Sequence, residues 1–271
     1  MLRQLALAIP GGALLSSCSV FRKRDSLRLC TFSADVTPPP GIGMMGGAWL
    51  SKTVADPLEA HGFVLLGPEA PVVFVAVDWC EIRNEAIDRW KAALAEAAET
   101  QPERVMVSTI HQHDAPVADL DAERILRAHG ARGTVCDIEF HEQTVKRVAT
   151  ALREALPGAQ PLTHIGTGQA KVEQVASNRR YTTPDGTPHF DRMSRTTSAV
   201  ARAADDGVID PWLKTLSFWN GDTALAAISV YSVHPMSYYG TGEVSADFPG
   251  VSSCRFARAM PGKSAETSPV P

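Results

Sequence analysis

His111 and His113 stand one residue apart at the end of an apolar run, Val105-Met106-Val107-Ser108-Thr109-Ile110, that reads as a β-strand, and His234 closes another apolar run far downstream. Side chains alternate faces along a strand, so positions 111 and 113 are expected to project the same way from a sheet edge into one cavity. Imidazole is the commonest metal ligand near neutral pH, and histidines from two different strands begin many catalytic zinc sites. The chemistry this pattern suggests is metal binding. The pair lacks the helical His-Glu-x-x-His spacing, and a His-x-His pair at a loop is also compatible with a solvated structural role.

Several elements must bring these residues together. Residues 28–33 read as a short strand, followed by a loop at Pro38-Pro39-Pro40-Gly41. Glycines continue to Gly47, where backbone can approach a ligand, but the stretch has neither a Walker lysine nor the strand-GxGxxG-helix order of a phosphate site. Residues 59–66 and 72–77 are two further strands joined across Gly67-Pro68-Glu69-Ala70-Pro71. Apolar side chains then recur at Ile82, Ala86, Ile87, Trp90, Leu94 and Ala97, the period of an amphipathic helix. That helix leads into the strand before His111. The order is a βαβ unit, which puts the His111 loop at the C-terminal edge of a sheet, where α/β proteins commonly bind ligands.

A second helix is marked by Ile138, Val145, Val148, Ala149, Leu152 and Leu156 and stops at Pro157-Gly158. Short strands are expected at 162–165 and 171–175. Residues 177–210 turn polar, with Asn178-Arg179-Arg180 and the turn sequence Thr183-Pro184-Asp185-Gly186, and a loop this long is more often functional than connecting. Residues 213–219 and 223–233 flank Asn220-Gly221-Asp222, a strong hairpin signal, with His234-Pro235 ending the second arm. The expected fold class is α/β, a mixed β-sheet with flanking helices.

Composition narrows the function. The 271 residues are 44% hydrophobic, enough for a substantial core, and the net charge of −4 with no basic tract argues against nucleic-acid binding. Arg3 precedes a mostly apolar stretch from Leu5 to Leu15, and Leu15-Ser16-Ser17-Cys18 resembles a lipoprotein cleavage box. Residues 1–18 are therefore expected to act as an export signal, with Cys18 lipidated and the protein anchored to a membrane, periplasmic or secreted. A plain cytosolic N-terminus is the alternative, since Pro10, Gly11 and Gly12 interrupt the apolar run. Cys30, Cys80, Cys136 and Cys254 form no CxxC pair; a disulfide is possible, but Cys30 and Cys80 sit in strand-like runs and suit burial as small hydrophobes.

Five local sequences in register extend the reading. Asp35-Val36-Thr37-Pro38-Pro39, Asp56-Pro57-Leu58-Glu59-Ala60, His111-Gln112-His113-Asp114-Ala115-Pro116, Asn178-Arg179-Arg180, and His234-Pro235 with Ser245-Ala246-Asp247-Phe248-Pro249-Gly250 resemble the neutral/alkaline, non-lysosomal ceramidases. The resemblance covers residues 28–258 and corresponds to the first part of that family's large N-terminal catalytic domain. It implies a zinc ion held by His111 and His234, joined by a glutamate and a tyrosine from further along. It also implies that His113 and Arg179 line the site near the substrate amide as catalytic residues. The implied substrate is ceramide or a related lipid amide, cleaved at the N-acyl bond to a fatty acid and a sphingoid base. Zinc with an open coordination position brings bound water to a pKa near 7 and polarises a carbonyl, which suits amide hydrolysis.

The chain departs from the family pattern in places. The family has Thr and then Ser-Gly in its His-x-His-x-x-Pro element, where this chain has Gln112, Asp114 and Ala115. Asp114 puts a carboxylate beside the metal loop and is expected to affect substrate choice. Asp247 reads either as a partner for His234 or as the N-cap of a helix starting near Pro249. The sequence reaches Pro271 before the segments that supply the family's Gly-Asp-x-x-Pro loop, its glutamate and tyrosine ligands and its immunoglobulin-like domain, so the domain is expected to be incomplete. Residues 259–271 are polar and aperiodic, as a disordered tail is.

Other classes fit less well. The metal-dependent amidohydrolase barrels also open on His-x-His, but they need eight regular βα units that the Asn-Gly hairpin interrupts. The metallo-β-lactamase pattern lacks a histidine after Asp114. A non-enzyme remains in view: a truncated, exported lipoprotein of the same family that binds without turnover.

Overall fold

Buried positions fall on both sides of Arg28–Asp35 (β1): Leu29 faces one layer, Cys30 and Phe32 another. A strand covered on both faces sits inside a layered domain, and β1 does so beside Glu59–Leu66 (β2) and Val72–Val77 (β3). The computed structural model describes residues 26–131, 135–193 and 196–259. β1 runs antiparallel to β2, with Arg28 opposite Leu66 and Asp35 opposite Glu59, and β2 runs antiparallel to β3. After β3 come Glu85–Ala97 (α1) and Val105–Thr109 (β4), and β4 lies parallel to β3 with Val77 opposite Thr109. The expected βαβ unit is present. Both β3 and β4 therefore deliver their C-terminal ends to one sheet edge, and His111 follows there.

Leu120–Ala128 (α2) and Ile138–Ala155 (α3) complete the helical layer. Trp90 and Leu94 of α1 and Val145, Val148 and Leu152 of α3 are buried against Cys30, Phe32, Val64, Val73 and Val75 of the sheet. Each large apolar side chain so buried contributes roughly 1.5–3 kcal/mol. The helix starts are fixed by carboxylates: Asp119 accepts from the Ala122 N–H, Asp137 from the Phe140 N–H, and Asp121 of α2 from the Glu85 N–H of α1. Trp79 meets Trp90 edge-on at 5.7 Å and donates its indole N–H to the Val36 carbonyl at 3.0 Å.

On the opposite face lies a three-stranded antiparallel sheet of His164–Lys171 (β5), Trp212–Asn220 (β6) and Thr223–Val230 (β7). Phe63 of β2 and Phe218 of β6 join the two sheets at 5.0 Å between ring centres, with Leu29 and Leu225 beside them. A last helix, Asp247–Ala259 (α4), follows the His234 segment.

Four departures from the sequence reading have local causes. α2 carried no expectation, because its Ile125 is exposed and no apolar stripe marks it. The strands expected at 162–165 and 171–175 are one strand, β5, paired with β6 along its whole length; Gly166 lets it pass close to the Ser217 side chain. β7 ends at Val230, not Val233, because Val230 pairs with Lys214 and β6 has little length left before Pro211, which has no N–H. The polar stretch 177–210 contains a two-pair ladder, Tyr181 opposite His189 and Thr182 opposite Pro188, and a short helix Ala199–Ala203.

Cys30, Cys80 and Cys136 are buried and free. Burial pushes the Cys80 thiol up to about 12 and that of Cys136 to about 11, so these behave as apolar core groups. Among the described residues no helix is long and apolar enough to cross a membrane. The expected export segment at 1–18 with Cys18, and the tail beyond Ala259, lie outside the described residues.

Candidate metal centre

β4 ends at Thr109, so the strand alternation expected to align His111 with His113 is already over when the chain reaches them. A turn aligns them instead. His111 adopts φ of +62°, a left-handed conformation that costs an L-residue roughly 1–2 kcal/mol. Its N–H is held by the Trp79 carbonyl at 3.2 Å, and the Gln112 side chain donates to the Asp78 carbonyl. Trp79 and Asp78 directly follow β3, so the turn is pinned to the neighbouring parallel strand. The Gly-rich stretch supports it from the other side, where the Met45 N–H donates to the Ala115 carbonyl at 3.0 Å.

The turn brings His111 and His113 to His234. One ring nitrogen from each of the three lies within 4.8 Å of the others. His113 is buried, whereas the His111 side chain is 46% exposed and His234 opens to solvent. The outer nitrogens are engaged: His111 Nδ1 lies 3.0 Å from the Cys80 carbonyl and His113 Nδ1 lies 2.7 Å from the Pro235 carbonyl. A carbonyl can only accept, so each Nδ1 carries a proton, and in the neutral ring Nε2 keeps its lone pair. This is the outer-shell pattern of metal-binding histidine. Burial holds the His113 pKa below the ordinary imidazole value, with His111 adding to the effect; burial, His113, His111 and Arg179 do the same for His234. Neutral imidazoles are the form that binds a metal. The three residues thus form a cluster able to coordinate a metal ion.

Arg179 is exposed, and its guanidinium reaches the Met236 sulfur at 3.6 Å, two residues from His234. The expected site residues His111, His113, His234 and Arg179 therefore share one region. Two expectations are corrected. Asp114 does not face the cluster: it is fully buried and its oxygens accept from Trp49, Thr241 and Gly242, which leaves no room for a substrate group. Asp247 is the first residue of α4 and accepts from the Tyr238 and Phe248 backbone N–H groups, holding the loop at the helix start; among the described residues no hydrogen bond joins it to the His234 ring.

The quoted motifs meet in space as well. Asp56 accepts from the Ser245 hydroxyl and the Ala246 N–H, both at 2.7 Å. Tyr239 escaped the sequence reading because no spacing marks it; its ring lies 5.4 Å from that of His113 and 5.2 Å from that of Trp49.

No family model and no curated protein matches the chain. Solved structures do. The fold is similar to that of neutral ceramidase from Pseudomonas aeruginosa, with a TM-score of 0.65 and 19% sequence identity over 89% of this chain and 37% of that one. It is similar, too, to a ceramidase complexed with C2, with a TM-score of 0.62 and 19% identity over 89% of this chain and 36% of that one. The chain thus carries a ceramidase-type fold and spans little more than a third of the length of the solved chains it matches.

Proposed function

From the ceramidase-type fold and the histidines it gathers, we propose that the protein is a zinc-dependent hydrolase that cleaves the N-acyl amide bond of ceramide or a related lipid amide to a fatty acid and a sphingoid base. The observation that carries this reading is the convergence of His111, His113 and His234. The donor set suits zinc: imidazole nitrogens, with the His111 ring oriented by the Cys80 carbonyl. His111 and His234 are the ligands in this reading. Bound there, zinc supplies Lewis acidity and makes water nucleophilic at neutral pH.

The chain's own residues do the rest. His113 keeps its Nε2 lone pair toward the cluster while Pro235 holds its other nitrogen, so it is set to take a proton or accept a hydrogen bond from a reacting group. Arg179 offers a fork of N–H donors to an amide oxygen or a substrate hydroxyl. The test is hydrolysis of a short-chain fluorescent ceramide by the purified, zinc-loaded protein. Hydrolysis that a chelator abolishes and zinc restores supports the assignment.

A second reading, binding without turnover, is favoured by the ligand set. Among the described residues the cluster holds three imidazoles and no carboxylate. Folded protein that takes up zinc yet hydrolyses no lipid amide would establish this reading in place of the first. Export is proposed on the order of residues 1–18 alone, with Cys18 lipidated. Mass spectrometry of the N-terminal peptide from membranes would find Cys18 carrying lipid; an intact Met1 terminus would refute it.

A further inference from the structure

His234 sits in residues 231–242, a stretch without helix or ladder, so its place is set by groups reaching in from elsewhere. The Lys52 and Thr53 N–H groups donate to the Gly242 carbonyl at 2.8 and 3.3 Å, Arg179 reaches the Met236 sulfur, and three further anchors involve residues beside the metal centre. His113 Nδ1–H donates to the Pro235 carbonyl at 2.7 Å, and Asp247 accepts from the Tyr238 N–H at 3.0 Å. The third is Asp114, next in sequence to His113. One of its oxygens accepts from the Thr241 N–H at 3.1 Å and the Thr241 hydroxyl at 2.6 Å; the other accepts from the Trp49 indole at 2.6 Å and the Gly242 N–H at 3.4 Å. The Asp114 carbonyl also accepts from the Ser245 N–H at 3.1 Å.

We infer that Asp114 is a positioning residue for the metal centre: its carboxylate holds residues 234–242 against the His111–His113 turn and so sets the separation between His113 and His234. The inference rests on the metal-binding reading given above. Hydrogen bonds to a carboxylate are roughly twice as strong as neutral ones, and four donors saturate it, so the clamp is stiff and closed to ligands. Trp49, fixed by Asp114, packs edge-on against Tyr239, whose ring lies against His113. One buried carboxylate thereby touches both the segment carrying His234 and the aromatic wall behind His113.

Asparagine nearly matches aspartate in shape yet cannot replace it here. Both oxygens face donors, so either orientation of an amide points its NH₂ at N–H or O–H groups. The experiment compares wild type, Asp114→Asn and Thr241→Val as full chains. Amide hydrogen exchange of residues 236–242 is measured without metal, and cobalt(II) affinity is followed by visible absorption. Asp114→Asn is expected to speed exchange across this segment and weaken cobalt binding by roughly 10–100-fold, with Thr241→Val shifting both in the same direction by less.

Unchanged exchange, or faster exchange with cobalt affinity intact, overturns the inference. If Asp114→Asn does not fold, Thr241→Val decides alone: a shift in both readings supports the clamp, and none refutes it. Wild-type protein that folds and binds no cobalt refutes the metal reading instead, and exchange in the segment then settles the clamp by itself.

Discussion

The Nε2 atoms of His113 and His234 stand 2.9 Å apart, a contact between residues 121 positions apart in sequence. Two lone pairs do not meet at that distance, so one nitrogen carries a proton. His113 already bears its proton on Nδ1, facing Pro235, which leaves His234 as the donor through Nε2–H. Nitrogen-15 chemical shifts of metal-free protein should show the Nδ1–H form of His113 and the Nε2–H form of His234. Zinc bound through Nε2 should convert His234 to the Nδ1–H form. A His234 already in the Nδ1–H form without metal would contradict the assignment.

Zinc content separates the roles of the three imidazoles. His111→Ala and His234→Ala are expected to lose near-stoichiometric zinc. His113→Ala should retain it, while turnover falls by roughly 10²-fold or more, the usual contribution of a positioned acid or base. Zinc lost from His113→Ala as well would make that residue a third ligand.

Arg179 acts on substrate in the proposed reaction and makes no ion pair with a described carboxylate, so its removal should spare the fold. Arg179→Ala is expected to lower kcat/KM by roughly 10–100-fold with zinc content and melting temperature unchanged, and Arg179→Lys should restore only part of it because a point charge replaces a planar fork. Equal activity in all three proteins would return Arg179 to a solvated loop role.

Much of this layout was legible because it is periodic. The stripe ending in Trp90, Leu94 and Ala97 gave α1, that of Val145, Val148 and Leu152 gave α3, and the strands on either side of α1 gave the edge where His111 lies. The site itself was only half legible. His111 and His113 converge through a left-handed turn that no pattern announces, since its cause is the pinning of residues 111 and 112 to Trp79 and Asp78. Asp114 looked like a group for the substrate because a carboxylate next to a metal loop has no visible partner in sequence. Its donors, Trp49 and Thr241, come from 65 positions before it and 127 after it.

Asp78, at the foot of the turn, gives a pH signature. Burial raises its carboxyl to about 6, against the Glu59 N–H that favours the anion. A carboxyl raised on folding holds its proton more tightly in the folded state. Its contribution to stability is therefore full below the ordinary carboxylate pKa and is lost as pH rises through about 6. Asp78→Asn escapes that loss. The variant should match wild type near pH 4 and exceed it above pH 6 by on the order of 1 kcal/mol or more in denaturant unfolding. A stability difference that stays flat across this range would show that Asp78 ionises freely.

His141 bears the opposite sign. It is 1% exposed on α3, its ring is 6.3 Å from that of Trp79, and among the described residues neither ring nitrogen has a hydrogen-bond partner; the Glu142 carboxylate stands off at 3.7 Å. Burial lowers its pKa. An imidazole lowered on folding takes up a proton more readily in the unfolded chain, so stability is lost as pH falls below roughly 6.5. His141→Phe keeps a ring against Trp79 and removes two orphaned polar atoms, each costly when buried. The variant should be more stable than wild type by roughly 1 kcal/mol at pH 7, with the gap widening toward pH 5. Asp78→Asn gains in the other direction over the same interval, so measuring both variants across pH 4–7 resolves the two groups. A gap for His141→Phe that narrows on acidification would mean that the imidazole is charged inside the fold, held by Glu142.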